Sequence, residues 1–185
     1  AGAVEAKAGS LIQAFNTSLS DSGVSHQFVM VPGVVAATQD FESTSAGGSG
    51  ALGWLSATES VKTKRDETKA DLVSILLGKM KAVDGKIWGG KASLLMSAAG
   101  SAEGVWRSTF VGDCAGATFS HEMGHNTGLM HNIEIAPGSG VFSYSRGRFF
   151  NGTDGKEYYT IMSYGTKDPT LATWEKNVTS VDKFS

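Results

Sequence analysis

Apolar residues recur at helical spacing from Val4 to Leu19, with Val4, Ala8, Leu11, Ile12, Phe15 and Leu19 on one face, and Asp21-Ser-Gly23 then supplies stop chemistry. This predicts a first amphipathic helix. From His26 to Ala37 the chain is β-branched and apolar, which predicts a strand that Pro32 confines to an edge or breaks at a bulge. Ser43 to Gly53 is rich in glycine and serine and reads as a flexible loop. Ala57 to Ala70 is charged and helix-favouring, and it leads into the short apolar run Asp71 to Leu77, expected to be a buried strand. Lys91 to Ser97 and Val105 to Val111 predict two more strands, the second alternating apolar with polar as an edge strand does. Ala115 to Gly128 reads as a helix, Pro137 to Gly155 as glycine-rich irregular chain, and Leu171 to Val181 as a last short helix.

Helices alternating with buried strands predict an α/β (α+β) layer, and 185 residues suffice for one domain that buries its own core. The 16 Lys and Arg are scattered against 18 Asp and Glu, so nothing marks a nucleic-acid footprint or an anionic membrane surface. The longest apolar stretch, Phe28 to Ala37, is too short to span a bilayer, and no charged region with an apolar core opens the sequence. These features predict a soluble mature protein lacking its signal and any propeptide, without membrane insertion, acting as a monomer. The single Cys114 excludes an intrachain disulfide and reads as a small buried hydrophobe.

The chemistry lies in His121-Glu-Met-Gly-His125-Asn-Thr-Gly128-Leu-Met-His131, which holds three of the four histidines within eleven residues. From this composition, that spacing of three His, one Glu and one Gly arises by chance on the order of once in 10⁵ sequences. On a helix His121 and His125 project about 40° apart, and Glu122 lies beside them. A continuing helix would carry His131 roughly 15 Å along the axis, so the chain must turn back. Gly128 stands where that turn is needed, because glycine reaches positive φ without steric cost. Three imidazoles leave a fourth tetrahedral position open, as in a catalytic zinc site. His26, remote from the cluster, reads as structural.

The segment resembles the elongated zinc-binding motif of the metzincin metallopeptidases, His-Glu-x-x-His-x-x-Gly-x-x-His, at every defined position. Tyr159-Thr-Ile-Met162-Ser-Tyr164 resembles the metzincin Met-turn, in which the methionine forms an apolar floor beneath the metal. Tyr164 matches the position where astacin-like and serralysin-like relatives carry a tyrosine that binds the metal or stabilises the oxyanion. Arg65-Asp66, Lys69-Ala-Asp71-Leu-Val and the context from Cys114 to Met130 look most like bacterial reprolysin-like enzymes, including the peptidyl-aspartate metalloendopeptidase type. The likeness covers about Ala3 to Gly165, loosely outside the two motifs. Such relatives often start with a strand before the first long helix and often pair the cysteine that precedes the motif. This chain shows neither feature.

The resemblance implies a single catalytic domain over 1–185, with an N-terminal part of about 1–130, a twisted mixed sheet with a backing helix and the active-site helix. The C-terminal part, about 131–185, would be small and irregular, with the Met-turn and a short helix. It implies a secreted zinc endopeptidase with one Zn2+ on His121, His125 and His131, Glu122 as general base, Tyr164 as catalytic support and a protein or peptide substrate. The substrate would pair with an edge strand, expected to be Val105 to Val111. Arg146, Arg148, Lys156 and Lys167 are candidates to attract an acidic substrate side chain, each weighed against an ordinary surface charge. Asn151-Gly-Thr-Asp154-Gly supplies too few carboxylates for a calcium loop and reads as a turn. Asn16 and Asn151 stand in glycosylation sequons that carry no meaning without a known host. An inactive metzincin-like module that binds peptides is the competing reading, against which an intact Glu122 speaks. A closed structural zinc site with Cys114 as fourth ligand is disfavoured by that residue's place two helical turns before His121.

Overall fold

A computed structural model describes residues 2–37, 39, 41, 47–77, 89–96, 107–112, 116–138, 140–168 and 178–184. Helices α1 (Gly2–Asp21), α2 (Gly47–Ala57) and α3 (Glu59–Thr68) precede strands β1 (Val73–Leu77), β2 (Gly90–Ala92) and β3 (Arg107–Val111). Helix α4 (Gly116–Asn126) follows, and then β4 (Phe149–Asn151), β5 (Glu157–Tyr159) and β6 (Val178–Ser180). The first sheet has the order β1-β3-β2, with β1 parallel and β2 antiparallel to β3. Its register sets Ile75 opposite Thr109 and Lys91 opposite the same residue.

The apolar run at β1 feeds two cores because successive side chains leave a strand on opposite faces. Ile75 and Leu77 pack with Phe41, Ala51, Leu55 and Val61 from the α2–α3 side. Leu76 packs with Leu11, Phe15, Phe119 and Met123, which belong to α1 and α4. Phe15 anchors the second core, meeting Phe119 and Phe184 edge-on at centroid distances of 6.3 and 5.8 Å. Burying one such ring contributes about 1.5–3 kcal/mol. This core carries α4, and with it the motif histidines, against the sheet.

Helix α1 forms as its periodicity predicts and ends at a left-handed Gly23. The charged helix stops where Lys69 takes φ 56°, and the buried strand follows it. Five other expectations change. His26 to Ala37 is not a strand: Pro32 offers no N–H, and the Asn16 carboxamide occupies both backbone groups of Phe28 at 2.8 Å. Residues 47–57, within or just beyond the expected Ser43–Gly53 loop, are helical, because Ala51 and Leu55 are buried against β1 and packing overrides glycine's poor propensity. Ser43 to Ala46 lie outside the described residues.

Within the span Val105 to Val111, β3 is the central strand and not an edge. Its polar alternation includes Ser108, 1 % exposed, whose hydroxyl meets that of Ser74 at 2.6 Å instead of solvent. Among the described residues the edge beside α4 is β2, shorter than the expected Lys91–Ser97 strand. Val178 to Ser180 form β6, parallel to β5, where the last helix was expected. Residues 171–177, 105–106, 97 and Cys114 lie outside the described residues. The C-terminal region thus contains a second three-stranded sheet, β4-β5-β6, in addition to irregular chain. Among the described residues no helix is long and apolar enough to cross a membrane.

Candidate metal centre

Helix α4 ends in two reciprocal backbone bonds that reverse the chain: Leu129 N–H donates to the Gly124 carbonyl at 2.9 Å and Gly128 N–H to that of His125 at 3.1 Å. Gly128 between them has φ 97°, and a methyl group there would collide with Val141. This is the glycine-terminated helix end that the spacing of the motif demands. The returning strand segment is fixed by Met130 N–H donating to Ser145 at 2.9 Å and Gly147 N–H donating to Met130 at 2.8 Å. His131 is thereby carried back to the helix.

The Nε2 atom of His131 stands 2.9 Å from that of His125 and 3.1 Å from that of His121. Each helical histidine presents Nδ1 to a carbonyl at 2.8 Å, His121 to Ile161 and His125 to Leu129. A carbonyl only accepts, so both Nδ1 atoms carry the proton and both Nε2 atoms hold bare lone pairs. One proton on His131 could satisfy only one of them. The cluster therefore fits a cation, and tetrahedral zinc with ligands at about 2.0–2.1 Å would need nitrogens roughly 3.3 Å apart. Burial supports the same state: it lowers His121 to about 4 and His131 to about 3, with neighbouring imidazoles adding to the fall, and it lowers His125 too. All three are neutral imidazoles at pH 7.

Met162 is 1 % exposed and packs directly under α4: a methyl group at Gly124 would collide with its sulfur. Gly124 thus leaves room for Met162 against the helix, and the Ile161 carbonyl of the same turn orients His121. Glu122 is buried, which raises its carboxyl to about 8 while the Lys91 ammonium opposes the shift. The Tyr164 ring lies 4.0 Å from that of His131 and stacks on His121 at 5.8 Å. Burial, and then the charge of Glu122, push its phenol up to about 12.

Three contributors escaped the sequence reading. Gly90 of β2 approaches Glu122 so closely that a Cβ would stand 2.6 Å from Cγ and 2.7 Å from Oε1. Asn126 donates to the Ser93 carbonyl at 2.7 Å, and Leu95 N–H donates to the His125 carbonyl at 3.1 Å, tying the chain after β2 to α4. Asn132, next to His131, is 1 % exposed and bonded to the segment after Met162. The Gly89-Gly90 pair is the one sequence trace of the first, and a lone asparagine gives no signal for the others.

Among the four candidate cations, Arg146 is buried beside the motif, donating to the Gly138 carbonyl at 2.5 Å and bridging Met130. Arg148 is exposed, Lys156 pairs with Asp154 at 3.5 Å, and Lys167 pairs with Glu157 and lies 5.0 Å over Phe149. The Asp154 carboxylate accepts from Lys156 N–H at 3.1 Å and Tyr158 hydroxyl at 2.9 Å, so Asn151 to Gly155 is a hairpin turn closed by its own groups. His26 is exposed on the irregular segment after α1.

A family model described as metallo-peptidase family M12B, reprolysin-like, matches residues 6–132. A chain in a solved structure titled "Structure of a chaperone-substrate complex" shares the fold with a TM-score of 0.66 at 17 % identity. All of the present chain is covered by that match, and it spans 26 % of the other. No curated protein matches it.

Proposed function

This chain belongs to the reprolysin-like metallopeptidases of family M12B, within the metzincins, and from that premise we propose that it is a secreted, monomeric zinc endopeptidase with Glu122 as general base. The observation that carries this reading is the convergence of three neutral imidazoles, two of which, His121 and His125, already spend their Nδ1–H groups on carbonyls and turn bare Nε2 atoms toward His131. His121, His125 and His131 would hold the ion. Zinc, when bound, supplies Lewis acidity toward water and the scissile carbonyl.

Glu122 takes the proton from the attacking water and returns it to the leaving amine. Its buried carboxyl must be ionised to begin, and a dication held by its neighbours favours that form. Tyr164, over His131, donates its hydroxyl to the oxygen on which charge develops, and its raised phenol keeps that proton at neutral pH. The peptide pairs along β2, the edge beside α4, in place of the central β3. The cleft separates about 1–130 from about 131–185 of one catalytic domain.

Glu122→Gln tests the reading, since an amide keeps the volume but cannot accept the proton. At matched zinc content, cleavage of an unfolded protein should fall by about 10⁴-fold, the upper end for general-base loss, because one residue serves both proton transfers. Equal rates would remove Glu122 from the mechanism, and no cleavage by either protein would turn the reading to a peptide-binding module.

A further inference from the structure

Asn132 follows the third motif histidine and is one of the most deeply buried polar side chains described, at 1 % exposure. Its carboxamide makes three contacts. Oδ1 accepts from Tyr164 N–H at 3.2 Å, while Nδ2 donates to the Thr166 carbonyl at 3.1 Å and to Glu134 Oε2 at 3.0 Å. These partners admit one amide orientation only, because the flipped group would face a carbonyl and a carboxylate with oxygen and an N–H with NH2.

The two backbone groups it grips lie on either side of Gly165, which turns there with φ 66°. The carboxamide closes that turn as a backbone neighbour would. Upstream, Ser163 is fixed by its own bonds, N–H to Thr160 at 2.9 Å and hydroxyl to Arg148 at 3.3 Å. Among the described residues no other hydrogen bond holds the Tyr164 backbone, and its ring rests on the imidazoles of His131 and His121. With the backbone fixed, only two side-chain torsions are left to place the hydroxyl.

We propose that Asn132 is a positioning residue for Tyr164: by bridging Tyr164 N–H and Thr166 C=O it holds the tyrosine ring against His131. The proposal rests on the reading of Tyr164 given above. Asn132 acts through Tyr164 and not on the reacting atoms.

Asn132→Ala removes all three contacts, and Asn132→Asp keeps the shape but sets a carboxylate against two acceptors. Residue-resolved amide exchange on the zinc-loaded protein should show the Tyr164 amide exchanging at least about tenfold faster in both variants, with α4 amides such as Met123 unchanged. Zinc content should stay at the wild-type value. The kcat should fall by the same factor as in Tyr164→Phe with KM little altered, and the Asn132→Asp/Tyr164→Phe double variant should lose no more than Tyr164→Phe. Multiplying losses, an unchanged Tyr164 exchange rate, or zinc loss in the Asn132 variants, which would place the effect on His131, each overturns the proposal. If Asn132→Ala does not fold, Asn132→Asp alone decides. A Tyr164→Phe variant with wild-type turnover would instead sink the role of the tyrosine hydroxyl, and the exchange rates would still judge the bridge.

Discussion

The two halves of the candidate metal centre are held in different ways. On the helical half, His121, Glu122 and His125 ride on one rigid element whose backbone bonds are local, and the helix is seated by the Phe15–Phe119 core. On the returning half, His131 and Tyr164 sit on irregular chain, placed by single bonds between residues distant in sequence. His121 to Ile161 spans 40 positions, Asn132 to Thr166 spans 34 and Tyr164 to Asn132 spans 32. The first half depends on helix formation, which is cooperative; the second depends on a few specific polar contacts, each of which can be cut separately.

The two halves should part most sharply at the helical histidines. His121→Ala or His125→Ala removes a donor from the rigid side, and zinc affinity should fall beyond the roughly 10- to 100-fold that losing an outer partner costs. Metal analysis of the purified variants checks this, and a full equivalent of zinc in either would dissolve the assignment. Next comes the hinge between the halves. Gly128→Ala forces a methyl group toward Val141 at φ 97° and should cost about 1–3 kcal/mol of stability, read as a lowered denaturant midpoint with weakened zinc binding through His131. An unshifted midpoint would show that the turn does not constrain the returning half.

The same division decides what could be read from the sequence. Helical spacing and the Gly128 turn rest on short-range geometry, whereas Met162 and Tyr164 were expected from the metzincin resemblance alone, and the structure brings His121, His125, His131, Met162 and Tyr164 together. The α1 helix and the β1 strand were legible for the same reason. Strand order was not, because it is fixed by pairing partners: β3 alternates like an edge, yet Ser108 spends its polarity on Ser74 inside the sheet. The stretch after α1 carries a strand's composition, but the Asn16 carboxamide has taken the place of a partner at Phe28. Nor could composition show that glycines in α2 would be carried into a helix by Ala51 and Leu55. Asn132 was invisible because an asparagine announces nothing until its three partners are in space.

Gly90→Ala is the mildest way to sharpen the contrast. Gly90 belongs to β2, and its backbone lies against the carboxylate arm of Glu122, so a methyl group there meets Cγ at 2.6 Å and Oε1 at 2.7 Å. What it strikes is the Glu122 side chain from Cγ outward and not backbone, so that side chain gives way before the strand or the helix. The carboxylate swings aside instead. His121 and His125 keep their carbonyl partners, which lie on Ile161 and Leu129 and not on β2. Zinc content and unfolding midpoint should therefore match wild type, while kcat falls by about tenfold, since displacing a catalytic group by a fraction of its reach costs orientation rather than binding. A parallel loss of stability would mean that the β2 backbone had yielded, and with it the peptide-pairing edge. Unchanged turnover would mean that Glu122 reaches the water by a path that β2 does not shape.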